Sequence, residues 1–438
     1  MSRRRVEPAV CAALLFLPGL THVALTGGVS QWRASSELGL LDVAISGVLV
    51  THFAASAWVL RRGKYAGRLA LATWSVLLTL AGTELYLRFA RPTEAAVAIA
   101  PLPPGTRICT AADTMPGISG EIRLSVNRLG LRGPDIGPRD LPRFDVKILC
   151  VGGSTTMCQY NTDERSWPWR LQDELAERLG QRVFVGNSGR SGLIARNHGD
   201  LIARYDLTHE FDWVIVMCGL NDWGMFLQGE YDASRERSLE ALDGRSKFSR
   251  DAPYYHRRLR LVQWIDAATT PTGRKLPFGN VVVTDDDGTW FADWRQERKK
   301  LLARRTFDEL PPRFEEFEAK YREDLLGVIA AARSKGVRLL MVSQPTIYRA
   351  DLPEAMADLL ISTSPPHGAY SHAALEQVSR RANEVMLDVC RREGVDHIDL
   401  DRILPKDTSV YFDDCHFNDA GCERIGVVLA NFFEPRLR

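Results

Sequence analysis

An excess of either charge is what this 438-residue sequence lacks: 56 Lys and Arg stand against 55 Asp and Glu, a net charge of +1. A chain so balanced carries no electrostatic footprint for a polyanion, which sets nucleic acid aside as a partner. Gly and Pro are not in excess, at 34 and 22, and there is no internal repeat, so collagen-like and low-complexity classes drop out. Neither a Walker loop nor a Gly-x-Gly-x-x-Gly fingerprint is present, and nucleotide binding has no motif to rest on. The 8 Cys and 9 His show no metal-ligand spacing; His256, His367, His372 and His397 fit no zinc pattern, and Asp285 to Asp287 lack the alternation of a calcium loop. No metal and no cofactor is expected. Cys109, Cys158, Cys390, Cys415 and Cys422 could pair in an oxidising compartment, but nothing in their spacing selects partners.

What is present is a composition of 45% hydrophobic and 25% charged residues, enough to bury a large core in more than one domain. Charge is missing altogether from residues 8–32, 43–60 and 69–82, each near the length a helix needs to cross a hydrocarbon layer. A cleaved signal peptide has one short apolar stretch, so three in succession predict an α-helical transmembrane region over 1–91, with helices at about 8–30, 39–60 and 66–87. Arg3 to Arg5, and the cluster Arg61, Arg62, Lys64 and Arg68, predict cytoplasmic positions for the chain start and the second connection. Three crossings would place the remainder outside the cytoplasm, anchored to the lipid bilayer. Glu84 makes the third segment the weakest of the three, and if it does not cross, the remainder is cytoplasmic. Residues 92–105, with four Pro, read as a linker, and 106–438 as the soluble domain.

From residue 146 onward, compact apolar runs alternate with helical periods. Strands are expected at 146–151, 183–185, 213–218, 337–342 and 395–400, and helices at 167–179, 193–205, 314–334, 374–392 and 419–433. This alternation predicts an α/β fold, a three-layer α/β/α sandwich around a mainly parallel five-stranded sheet. The rhythm lapses over 226–312, an insertion or cap rich in aromatic and charged residues. Its Tyr254, Tyr255, Trp264, Trp290, Phe291 and Trp294 suit either a lid over substrate or a small core of their own.

In parallel α/β sheets the reactive loops follow the carboxyl ends of the strands. Here those loops are Gly152-Gly153-Ser154, then Gly186 to Gly192, then Gly219-Leu220-Asn221-Asp222, and finally Asp413-Asp414-Cys415-His416. Taken singly, the first could be a helix cap or phosphate loop, and the last an ordinary acidic helix start. A Ser hydroxyl needs a general base, and His416 is the available one; Asp413 can orient it, with Asp414 as the competing candidate. No Gly-x-Ser-x-Gly elbow surrounds Ser154, which disfavours the larger α/β-hydrolase class.

Together and in this order, the four blocks resemble the SGNH, or GDSL-type, hydrolase family over about 146–433. The resemblance implies Ser154 as nucleophile, His416 and Asp413 as its partners, and an oxyanion hole of the Ser154 and Gly192 N–H groups with the Asn221 amide. The first block departs from the family's commonest Gly-Asp-Ser in reading Gly-Gly-Ser, which is similar to a membrane-tethered bacterial subgroup. The expectation is a membrane-anchored serine esterase removing an acyl group, acetyl by family habit, from an extracytoplasmic glycan or similar molecule. Two alternatives share the fold: an O-acyltransferase acting on an envelope polysaccharide, and an inactive binding or scaffold module.

Overall fold

A computed structural model describes residues 105–111, 114–236, 280–283, 290–361 and 368–438. The expected membrane segments, almost all of the linker and the middle of the insertion, with Tyr254, Tyr255 and Trp264, lie outside the described residues. Among the described residues no helix is long and apolar enough to cross a membrane.

The chain runs through β1 (Gly105–Thr110), β2 (Glu121–Val126), β3 (Val146–Gly152), α1 (Ser154–Met157), α2 (Trp167–Leu179), β4 (Val183–Asn187), α3 (Ala195–Arg204), β5 (Trp213–Met217) and α4 (Leu220–Leu227). Next come α5 (Tyr231–Glu236), β6 (Asn280–Val283), α6 (Trp290–Arg304), β7 (Thr306–Phe307), α7 (Phe314–Lys335) and β8 (Arg338–Val342). The last elements are α8 (Glu354–Ala357), β9 (Ala369–Tyr370), α9 (His372–Glu393), β10 (Asp396–Ile398), α10 (Leu400–Ile403) and α11 (Asp419–Leu437).

Five strands form one parallel sheet in the order β10-β8-β5-β3-β4. Its central members are covered on both faces, so they are continuous apolar runs rather than alternating ones: Ile148 to Val151 and Val214 to Met217 have no exposure. The chain leaves β3 toward β4 in one direction, then returns and passes through β5, β8 and β10 in the other. Right-handed crossovers therefore put α2 on one face and α3, α7 and α9 on the opposite face. Packing agrees, since α2 lies against α11 while α3 and α9 lie against α7. The reversal happens beside β3, and the crevice it opens is where Ser154 begins α1.

Most elements fall close to their expected spans, and the differences have local causes. The last sheet strand, expected over 395–400, stops at Ile398. Ser343 at the end of β8 donates to Asp399 and accepts the Asp401 N–H, which draws the chain into α10. Helix α9 starts two residues early because Ser371 caps it, accepting the N–H of Ala374. Within the insertion, β6 extends a small sheet by pairing parallel to β1, itself antiparallel to β2.

The turn after β2 carries a buried cation. Arg132 is 2% exposed, and its Nε donates to Asp163 at 2.9 Å. Its remaining N–H groups donate to the carbonyls of Met157, Cys158 (2.6 Å) and Asn161 (2.5 Å). Asp163 in turn accepts the Ser125 N–H, so the pair ties β2 to the segment just past Ser154. A buried ion pair is costly to assemble and more costly to break, because the surviving charge has no water. Arg132→Met should therefore lower the unfolding free energy by about 3–5 kcal/mol, read as a lower midpoint in urea denaturation.

Candidate active site

Ser154 and Asn221 follow the carboxyl ends of β3 and β5, whereas Asp413 and His416 lie in the loop between α10 and α11. Ser154 is the first residue of α1, directly after β3, and its Oγ–H donates to His416 Nε2 at 2.8 Å. The Nδ1–H of His416 donates to Asp413 Oδ2 at 2.6 Å. Asp413 has no exposure, and its other oxygen accepts the backbone N–H groups of Cys415 (2.9 Å) and His416 (2.7 Å). The loop thus folds around its own carboxylate and aims the imidazole outward, where Phe412 stacks on it with ring centroids 5.7 Å apart.

Desolvation opposes charging of His416, yet the Asp413 charge and hydrogen bond, with Asp414 behind, outweigh it and hold the imidazole above its ordinary pKa. Of the two neighbouring acids, Asp413 is the one bonded to the imidazole. Asp414 accepts from the Tyr348 hydroxyl at 2.8 Å and from the Ile361 N–H at 2.6 Å, facing away from the imidazole. Asp413, Cys415 and His416 also bring three candidate ligand atoms within 4.8 Å of one another. Both ring nitrogens of His416 are already engaged, however, in a hydrogen-bond chain suited to moving a proton rather than donating to an ion.

Of the three expected oxyanion donors, Ser154 and Asn221 line one cavity, and Gly192 sits in the loop between β4 and α3. Asn221 stands at the start of α4, after β5, and its Nδ2 donates one hydrogen to the Leu193 carbonyl at 2.8 Å, leaving the other to face the site. Gly192 has a φ of 79°, the left-handed region that favours glycine. The Gly-Gly-Ser departure has a steric correlate: a Cβ on Gly153 would stand 2.7 Å from Asn221 Nδ2. The amide occupies the room that a side chain in the first block would take.

Several residues around the site carried no role in the sequence reading. Asp222 joins two of the loops, accepting the N–H groups of Ala195 (2.9 Å) and Gly219 (3.2 Å), and burial pushes its carboxyl up to about 7. An acid three residues into a helix that follows Gly219 is the capping signal that would have found it. Thr155 donates to Gln344 at 3.0 Å, and Asn187 to the Thr156 carbonyl at 2.8 Å, fixing α1 from two sides. Of the expected thiol partners, Cys109, Cys158, Cys390, Cys415 and Cys422 are all buried, and Cys158 and Cys422 place their sulfurs 3.9 Å apart.

In front of Ser154 lies a cavity of about 600 Å³ that reaches His416, Asn221 and Gln159. Of the expected insertion aromatics, Phe291 and Trp294 on α6 line it. Phe291 packs edge-on against Tyr160 and Phe412, with centroids 5.3 and 5.6 Å away. One turn later Arg295 donates to the carbonyls of Thr114 (2.8 Å), Leu359 (3.2 Å) and Phe412 (3.2 Å). Helix α6 is therefore a wall of the crevice, bonded to the residue that precedes Asp413.

Among solved structures, an acetylxylan esterase from Geobacillus stearothermophilus is similar over 67% of this chain and 94% of its own, at 12% identity and a TM-score of 0.35. An aryl esterase from M. smegmatis is similar over 66% and 99%, at 14% identity and a TM-score of 0.34. Scores this low carry no argument about function. No curated protein sequence matches the chain at a significant level. The model of the GDSL-like lipase/acylhydrolase family matches residues 150–424, a span that holds all four strand-end loops and well over half of the sequence. The chain belongs to the GDSL-like lipase/acylhydrolase family and is a carboxylic ester hydrolase.

Proposed function

We propose that the protein cleaves its ester through a covalent acyl-enzyme on Ser154. The observation that carries this is the unbroken chain from Ser154 Oγ to His416 at 2.8 Å and on to Asp413 at 2.6 Å. His416 takes the hydroxyl proton as Oγ attacks the ester carbonyl, and Asp413 stabilises the imidazolium. The carbonyl oxygen becomes an oxyanion held by the N–H groups of Ser154 and Gly192 and by the free amide hydrogen of Asn221. The imidazolium then protonates the departing alcohol. Water, deprotonated by the same His416, attacks the acyl-enzyme and releases the acid, returning the proton to Ser154. Anchoring to a membrane by residues 8–30, 39–60 and 66–87, with the catalytic domain on the extracytoplasmic side, belongs to the same reading and rests on the distribution of charge along 1–91. An acetylated glycan as substrate rests on that location and on family habit; the site's hydrogen bonds support an ester carbonyl of any acid.

A serine-directed fluorophosphonate should label the full-length chain, and labelling should vanish in Ser154→Ala; a folded wild type that never labels would sink this mechanism. Asn221→Ala should lower kcat by about 10²–10³-fold with little change in KM, measured on a p-nitrophenyl ester. His416 must be neutral to accept the proton, and its pKa is raised. Activity should therefore fall with decreasing pH through a midpoint above the usual imidazole value of about 6.5, seen in the kcat/KM profile.

A further inference from the structure

We propose that the ester this site accepts carries a sizeable apolar group, of the order of an octyl chain or a fused-ring aromatic, seated in the cavity in front of Ser154. The proposal rests on the Ser154 mechanism above. That cavity measures about 600 Å³ and is walled by Leu220, Trp223 and Met225 from α4, Phe291 and Trp294 from α6, and Phe412 from the catalytic loop. A volume in this range is typical of pockets that enclose a whole small ligand, and an acetyl group alone leaves most of it unfilled. Among the described residues neither Lys nor Arg lines it. The carboxylate that does line it, Asp414, has both oxygens bonded, to the Tyr348 hydroxyl and the Ile361 N–H. Gln159, Asn161, Ser191 and Gln228 also line it, but most of its surface is apolar, and such a wall rewards apolar area on the substrate. Trp294 is 48% exposed, so the apolar surface continues to the cavity mouth.

The same chemistry can be presented by the acyl chain or by the alcohol, and two series of substrates separate them. In the acyl arm, kcat/KM of the full-length protein is measured on p-nitrophenyl acetate, butyrate, hexanoate and octanoate. In the alcohol arm it is measured on methyl, octyl and 1-naphthyl acetates. One arm should rise by up to about fourfold for each methylene buried, and thereby say which part of the ester enters the cavity. Gly224, on α4, lines the cavity, and a Cβ built there meets no atom within 4 Å. Gly224→Trp should therefore fill the cavity and reduce the preference for the larger substrate in the rising arm at least tenfold. Gly224→Leu, checked by circular dichroism, serves where the indole disturbs folding. Acetate and methyl acetate as the best substrates of a protein that fluorophosphonate labels at Ser154 would overturn the apolar group while leaving the serine mechanism standing. Absence of labelling in the folded protein would overturn both.

Discussion

A carboxylate with no access to water has to be surrounded by donors, and that requirement at Asp413 shapes the end of the chain. Its two oxygens take the N–H groups of Cys415 and His416 and the Nδ1–H of the imidazole, so the loop has one compact way to close. Closing it that way sets the ring plane, stacks the ring on Phe412 and leaves Nε2 pointing at Ser154. Two of the three donors are main-chain groups, which means the orientation of the base is held by the backbone and not only by a partner side chain. The helix that follows is capped independently, with Asn418 accepting the Gly421 N–H, so α11 anchors the loop from behind.

Ser154 is held by a different device. Ser154 sits on a single turn of helix, far too short to be stable by itself, and the surrounding structure supplies what the turn lacks. Arg132 fills carbonyls just beyond it, Asn187 reaches the Thr156 carbonyl, the Trp167 indole reaches that of Thr155, and the Thr155 hydroxyl bonds Gln344. These partners come from the turn after β2, from β4, from α2 and from the end of β8. Ser154 is thus positioned by polar groups converging from four parts of the fold, and the apolar sheet below supplies rigidity rather than direction.

The fold was legible where burial on both sides produces an unbroken apolar run, as at 148–151 and 213–217, because such runs have few alternative explanations. The strand-end loops were legible because Ser154, Gly192, Asn221 and His416 each stand in a short segment whose composition is itself unusual. The choice between Asp413 and Asp414 was not, since a loop has no periodicity and adjacent acids differ only in where the backbone turns. Arg132 and Arg295 were hidden for another reason: most of their partners are carbonyl oxygens, which every residue owns and which leave no mark in a sequence. Gly153 lay in between. Its departure from the commoner first block was visible, but the neighbour that crowds it, Asn221, is 68 positions away and is brought there only by folding.

Helix α6 has two attachments that pull in different directions. Phe291 and Trp294 wall the cavity in front of Ser154, while Arg295 holds the carbonyl of Phe412 next to Asp413. The cavity wall and a support of the Asp413 loop therefore belong to one helix. Reshaping this helix to alter the cavity therefore also moves the backbone that precedes Asp413, whereas a side chain added at Gly224 on α4 enters open space in the same cavity.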